Sequence, residues 1–227
     1  SFAANFLHLG SDIARQISQF VIIDGKLDTL VEVVREGRLV INNVTRSASM
    51  YYLKTIYTIL LSILSILMNI PYPFIPFQMT LLDMFIEGFP SFMILFERNI
   101  EKPKESIGNH AMRFSLPNAL VIVLSVAGIR LLAPVLDLSL SETFTILYFT
   151  TAFISIHMIY RIYKPLNWYR GGVLIIDIIG FILSTPIFWP LLEMHPLNSK
   201  LLQIIFITIL VCIPFLVIIT KKVGQYL

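Results

Sequence analysis

The sequence predicts an all-α integral membrane protein: a bundle of six membrane-spanning helices with a small α/β segment at the N-terminus. Three observations predict it. The first is composition. Of 227 residues, 56% are hydrophobic and 14% charged, against roughly 25% charged in an ordinary soluble domain, and the mean hydropathy is +0.81. The second is a series of six apolar runs after residue 47, each close to the roughly 20 residues that cross a bilayer as a helix. The third is a one-sided distribution of basic residues among the loops between those runs.

Residues 1–46 alone have soluble character. Gly10–Gln19 reads as a helix, with Ile13 and Ile17 four apart among polar residues. Phe20–Ile23 is a short apolar run closed by Asp24 and Gly25, a strand followed by a turn. Asp28–Asn43 is again helical, with Leu30, Val33, Val34 and Gly37 on one face. One helix–strand–helix unit is too small to bury a core of its own. Residues 47–227 form the membrane domain, with spans expected at about 48–69, 74–96, 114–134, 143–163, 172–192 and 200–220. No cleavable leader is expected, because the first long apolar run begins near residue 47.

The loop charges orient the bundle. Lys26, Arg35, Arg38 and Arg46 precede span one; Arg98, Lys102, Lys104 and Arg113 lie between spans two and three; Arg161, Lys164 and Arg170 lie between spans four and five; Lys221 and Lys222 follow span six. The other side has Lys200 and, near a span end, Arg130, beside Asp137, Glu142 and Glu193. Basic loops stay cytoplasmic, so both termini are expected in the cytoplasm and the chain in the cell membrane as a multi-pass protein. The net charge of +3 is dispersed among these loops, which suits topology and not nucleic-acid binding. Cys212, the single cysteine, lies within an apolar run and reads as a small core residue.

The most informative segment runs from Gln78 to Pro90 (QMTLLDMFIEGFP). It places Asp83 and Glu87 four residues apart, on one helical face, inside an apolar run. Ionisable groups in hydrocarbon are costly and line bundle interiors or ion paths. Gly88 and Pro90 follow, so the helix is expected to kink or unwind there, freeing carbonyls beside the carboxylates for a hard cation. The alternative is a structural pair neutralised by protonation or by a neighbouring helix. Lys54 on span one has two readings: it snorkels to the interface, or it pairs with Asp83 or Glu87. Thr55, Tyr57 and Thr58 offer hydroxyls nearby, although helical hydroxyls often bond back to carbonyls. Asp177 reads as a capping or solvated acid near the end of span five, and His157 as structural. No Gly-rich phosphate loop, catalytic triad or zinc pattern is present in the sequence.

These residues resemble the C-terminal third of the P-type cation-transporting ATPases, pumps of the HAD superfamily. Gly10–Asp24 resembles the end of their phosphorylation domain. Leu30–Asn43, with its Glu36-Gly37-Arg38 and Asn42-Asn43, resembles the helix that feeds the stalk of the fifth membrane helix. Pro76–Pro90 resembles the sixth membrane helix, and Phe96–Asn99 the segment after it. The resemblance implies that residues 1–46 are the remnant of the phosphorylation domain with the stalk. The six spans then correspond to the pump's last six helices.

The spacing from Asn43 to Asp83 matches that in sarcoplasmic-reticulum-type calcium pumps without a gap. The resemblance implies Asp83 and Glu87 as metal ligands, with Thr55 and Thr58 as weaker ones where the family has Asn and Glu. Ile86 replaces a Thr ligand and leaves only backbone. Lys54, beside the lost carboxylate, would tune charge, which favours a single divalent ion. Calcium is expected first, magnesium or manganese next.

The family's phosphorylated Asp motif, nucleotide domain, actuator motif, magnesium site and first four membrane helices are not in the sequence, nor is its usual sequence upstream of Gly10. The expectation is therefore the membrane portion of an ATP-driven pump, with Mg-ATP handled by a missing N-terminal portion and no ATP hydrolysis by this chain alone. A subunit of a split pump and a non-catalytic remnant are the alternatives.

Overall fold

The computed structural model of the chain describes residues 4–6, 20–22, 27–103 and 105–226. In chain order it has strands β1 (Ala4–Phe6) and β2 (Phe20–Ile22), helices α1 (Leu27–Met68) and α2 (Pro76–Asp83), and a π-helical turn (Met84–Gly88). Then come α3 (Phe89–Ile94), α4 (Ile107–Leu132), α5 (Leu140–Ile162), α6 (Trp168–Ile187), α7 (Trp189–Leu192) and α8 (Ser199–Tyr226). The chain divides into two compact units, residues 1–43 with 98–104, and residues 44–97 with 105–227.

In the first unit, β1 and β2 pair in parallel, with Ala4 opposite Phe20 and Phe6 opposite Ile22. Only β2 was expected from the sequence; a three-residue strand carries too little pattern to be read alone. The helix expected over Gly10–Gln19 lies outside the described residues. The Asn42 side-chain amide donates to the Asn99 and Glu101 carbonyls at 2.8 and 2.9 Å, which fastens the 98–103 segment.

Helix α1 is a single helix of 42 residues because its sequence holds no proline and only Gly37. At 1.5 Å per residue it is about 63 Å long, roughly twice the hydrocarbon core of a bilayer. Its buried stripe in the second unit, Arg46, Met50, Leu53, Tyr57 and Leu61, repeats every three to four residues. It stops at Asn69, whose φ of 51° is left-handed, a conformation asparagine tolerates better than most residues.

Among the described residues five helices, α1, α4, α5, α6 and α8, are long and apolar enough to cross a membrane. The run expected as one span over 74–96 is divided. Pro76 opens α2, and the Phe89 N–H bonds to the Met84 carbonyl five residues back, which makes the π turn. Where the helix was expected to kink or unwind, at Gly88 and Pro90, the chain makes this wider turn, and Gly88 (φ −64°, ψ −68°) and Phe89 (φ −62°, ψ −50°) remain helical. Pro90 has no N–H to give, and a local shift to five-residue spacing accommodates that loss without melting the helix. The fifth expected span is likewise two pieces, α6 and α7, separated at Phe188 (φ −94°, ψ 7°) between Pro186 and Pro190.

Helix α5 is the centre of the second unit: 72% of its span is buried, against 11% for α8. The π turn packs on α6 through aromatic rings, with Phe85 edge-on to Phe181 at 5.9 Å and Phe181 stacked on Tyr148 at 5.6 Å. This approach requires Gly180, where an added Cβ would fall 2.7 Å from the Phe85 ring. Gly180→Leu is expected to lower stability by about 1–3 kcal/mol, the usual cost of overpacking. Thermal unfolding in detergent measures this, and Phe85→Ala in the same chain should recover part of the loss.

Candidate cation-binding site

Asp83 closes α2 and Glu87 lies in the π turn that follows. Helical periodicity alone sets them on one face, and the structure turns that face toward α1. Lys54 Nζ donates to Asp83 Oδ2 and stands 4.0 Å from Glu87 Oε2. Glu87 is buried, at 6% exposed, whereas the side chains of Asp83 and Lys54 are part-exposed. Asp83 Oδ1 and Glu87 Oε1 have no hydrogen-bond partner among the described residues. With both carboxylates ionised, the pair and one ammonium carry a net charge of −1 and offer two acceptor oxygens to a ligand. Among the described residues no three His, Cys, Asp or Glu side chains cluster, so a metal held here would complete its shell with hydroxyls, carbonyls or water.

The hydroxyls sort unequally. Tyr57, noted in the sequence only as a neighbour, is completely buried, and its hydroxyl has no partner among the described residues. It lies within electrostatic reach of Asp83 and Glu87. The Thr58 hydroxyl lies beside that of Tyr72, a tyrosine between Pro71 and Pro73. Thr55 does not join them. It is on the exposed face and its hydroxyl donates to the Tyr51 carbonyl at 3.0 Å. One residue along a helix rotates a side chain by about 100°, and from Lys54 that step turns Thr55 outward.

The segment after the π turn is held from outside. The Tyr163 hydroxyl donates to the Pro90 carbonyl at 3.1 Å and the Tyr169 hydroxyl to the Met93 carbonyl at 2.7 Å. Glu97, which the sequence showed only within a resembling segment, accepts from Arg46 Nη1 and Arg170 Nε, both at 2.6 Å. Arg170 Nη1 also donates to the Tyr163 and Pro165 carbonyls at 3.2 and 2.7 Å.

Asp177 departs from its expected capping or solvated place. Helix α6 begins at Trp168, earlier than the sequence suggested, which puts Asp177 in mid-helix. It is 1% exposed and neither oxygen has a hydrogen-bond partner among the described residues. His157 is structural, with Nδ1 3.3 Å from Asn118 Oδ1.

The chain is 31% identical over 212 residues to a protein named probable cation-transporting ATPase exp7, from Streptococcus pneumoniae, and the match covers 89% of this chain. This chain is a relative of the P-type cation-transporting ATPases. A protein named calcium-transporting ATPase CtpE, from Mycolicibacterium smegmatis, is 28% identical over 86% of this chain. The protein of that name from Mycobacterium bovis is 33% identical over 50% of this chain and 15% of its own length. The chain spans about a quarter, 27%, of the first two ATPases. No family model matches it.

Proposed function

We propose that this chain is the membrane portion of an ATP-driven divalent-cation pump. One observation carries the reading: two carboxylates on successive turns, Asp83 and Glu87, share a single ammonium, Lys54, and each keeps an oxygen without a partner among the described residues. Such an arrangement is expensive in an apolar bundle unless it serves an ion path. Calcium is the first cargo, since carboxylate and hydroxyl oxygens suit a hard cation and the relative CtpE is named for calcium. Magnesium or manganese comes next. Asp83 and Glu87 are the ligands, Tyr57 and Thr58 weaker ones, and Lys54 the resident counter-charge.

On this reading residues 1–46 belong to the phosphorylation domain and stalk, and residues 47–227 form six spans. The α2–π–α3 run completes the six, because its 19 residues, Pro76–Ile94, measure about 28 Å against a hydrocarbon core of about 30 Å. The basic loops put both termini in the cytoplasm. Before the spans, α1 exposes Val33, Val34, Val40 and Ile41 on one side. A bare apolar face of this kind suits cover by the missing catalytic portion, which would bind Mg-ATP, and favours a pump or a split-pump subunit over a remnant. Cation-dependent ATPase activity and phosphoenzyme formation are to be measured in membranes holding this chain, alone and with the pump's catalytic portion. Activity is expected only with both; none in either case would leave a non-catalytic remnant.

A further inference from the structure

A cleft of about 260 Å³ opens between α5 and α8, roughly nine times the share of liquid volume of one water. Its wall is apolar, from Phe153, Ile213 and Val217. Its other end is basic and polar, from Arg161, Lys221 and Thr220. Arg161 is the second-to-last residue of α5, and Lys221 stands near the end of α8. The charged end therefore lies at the ends of two spans. Phe153 is eight residues deeper along α5, about 12 Å at helical rise.

The basic end is built and uncommitted. Arg161 Nη1 donates to Thr220 Oγ1 at 3.2 Å, and its guanidinium carbon stands 5.1 Å from the centre of the Phe114 ring. These contacts fix the guanidinium. Neither Arg161 nor Lys221 forms an ion pair among the described residues. His157, also on the lining, is tied to Asn118 and serves as wall. A fixed guanidinium and an exposed ammonium at a span end, over an apolar slot, complement a phosphate with a hydrocarbon tail. Basic pockets between membrane helices take anionic head groups in this way.

We propose that this cleft holds one anionic phospholipid, with its phosphate between Arg161 and Lys221 and an acyl chain along Phe153, Ile213 and Val217. The occupant is a lipid and not a free anion, because the slot continues as hydrocarbon-lined wall into the span. The site shares no residue with the Asp83 and Glu87 pair and does not depend on the transport reading.

The test is a native mass-spectrometry titration of the detergent-purified full chain with phosphatidylglycerol and, separately, phosphatidylcholine. One phosphatidylglycerol should be retained in preference to phosphatidylcholine. At about one surface cation's worth each, Arg161→Gln with Lys221→Gln should weaken it roughly 30-fold. Lys221→Gln alone changes an exposed side chain and leaves the Arg161 stacking intact; it should weaken retention roughly fivefold. Arg35→Gln with Lys102→Gln, the same loss of charge outside the cleft, should leave it unchanged. Equal retention of the two lipids, or an equal loss in the control variant, would overturn the proposal. So would displacement by inorganic phosphate at the lipid's own concentration, which would make this a free-anion site.

Discussion

Glu97→Ala should destabilise the membrane unit by about 3–5 kcal/mol, the cost of leaving buried charge without its partner. Glu97 neutralises two guanidiniums at once, Arg46 from α1 and Arg170 from α6, each at 2.6 Å. All three side chains are 9–11% exposed, so water cannot replace the lost carboxylate. With Glu97 gone, two like charges face each other in a low-dielectric setting. Arg170 keeps its bonds to the Tyr163 and Pro165 carbonyls and is therefore held in place to repel Arg46. Thermal unfolding in detergent reads the effect. Replacing the network whole, as Arg46→Met with Glu97→Leu and Arg170→Met, should cost far less than Glu97→Ala alone, because no uncompensated charge remains. A triple variant as unstable as the single one would show that shape, not charge, holds these helices.

Glu87→Gln and Lys54→Met should move divalent-cation affinity in opposite directions. Glu87 presents an oxygen with no partner among the described residues, in a buried place. Replacing its carboxylate by an amide leaves one neutral carbonyl oxygen and removes half of the carboxylate charge, so affinity should fall roughly 100-fold, the upper end of what outer-shell changes cost metal sites. Lys54 competes with the cation, because its ammonium holds Asp83 Oδ2 and stands 4.0 Å from Glu87. Removing it frees Asp83 and restores a charge of −2. Lys54→Met should tighten binding roughly tenfold, the worth of about one charge-assisted hydrogen bond of modest strength. Radioactive calcium binding to membranes holding the full chain, with magnesium and manganese as competitors, measures both. Weakened binding in Lys54→Met would mean that the ammonium organises the site and does not compete for it.

The carboxylate pair was legible because a spacing of four residues is a local fact: the same backbone repeat that makes the helix aligns Asp83 with Glu87. The π turn was half legible. Gly88 and Pro90 announced a disturbance, but whether a helix answers a missing donor by melting or by widening depends on what packs around it. Here Phe85 against Gly180 and Tyr163 on the Pro90 carbonyl hold the helical course. Thr55 lies on the exposed face of α1, a placement that a resemblance, which aligns positions along a chain, does not give. Tyr72 and Asp177 carried no local signal. A tyrosine between prolines and an acid near a presumed helix end look ordinary until distant segments enclose them.

From the sequence alone came the membrane class, the apolar runs, the loop charge asymmetry, the kinship with cation pumps and the residues Asp83, Glu87 and Lys54. All of these rest on composition or on spacing within one helix, where geometry is set by neighbours a turn away. The tertiary structure decided that Lys54 meets Asp83 across 29 residues of chain. It decided too that Glu97 joins Arg46 to Arg170, that Asp177 is enclosed, and that α5 and α8 leave a basic-headed cleft between them. Those are meetings of separate helices. Their pairing is settled by which buried faces fit together, and no helical period encodes that.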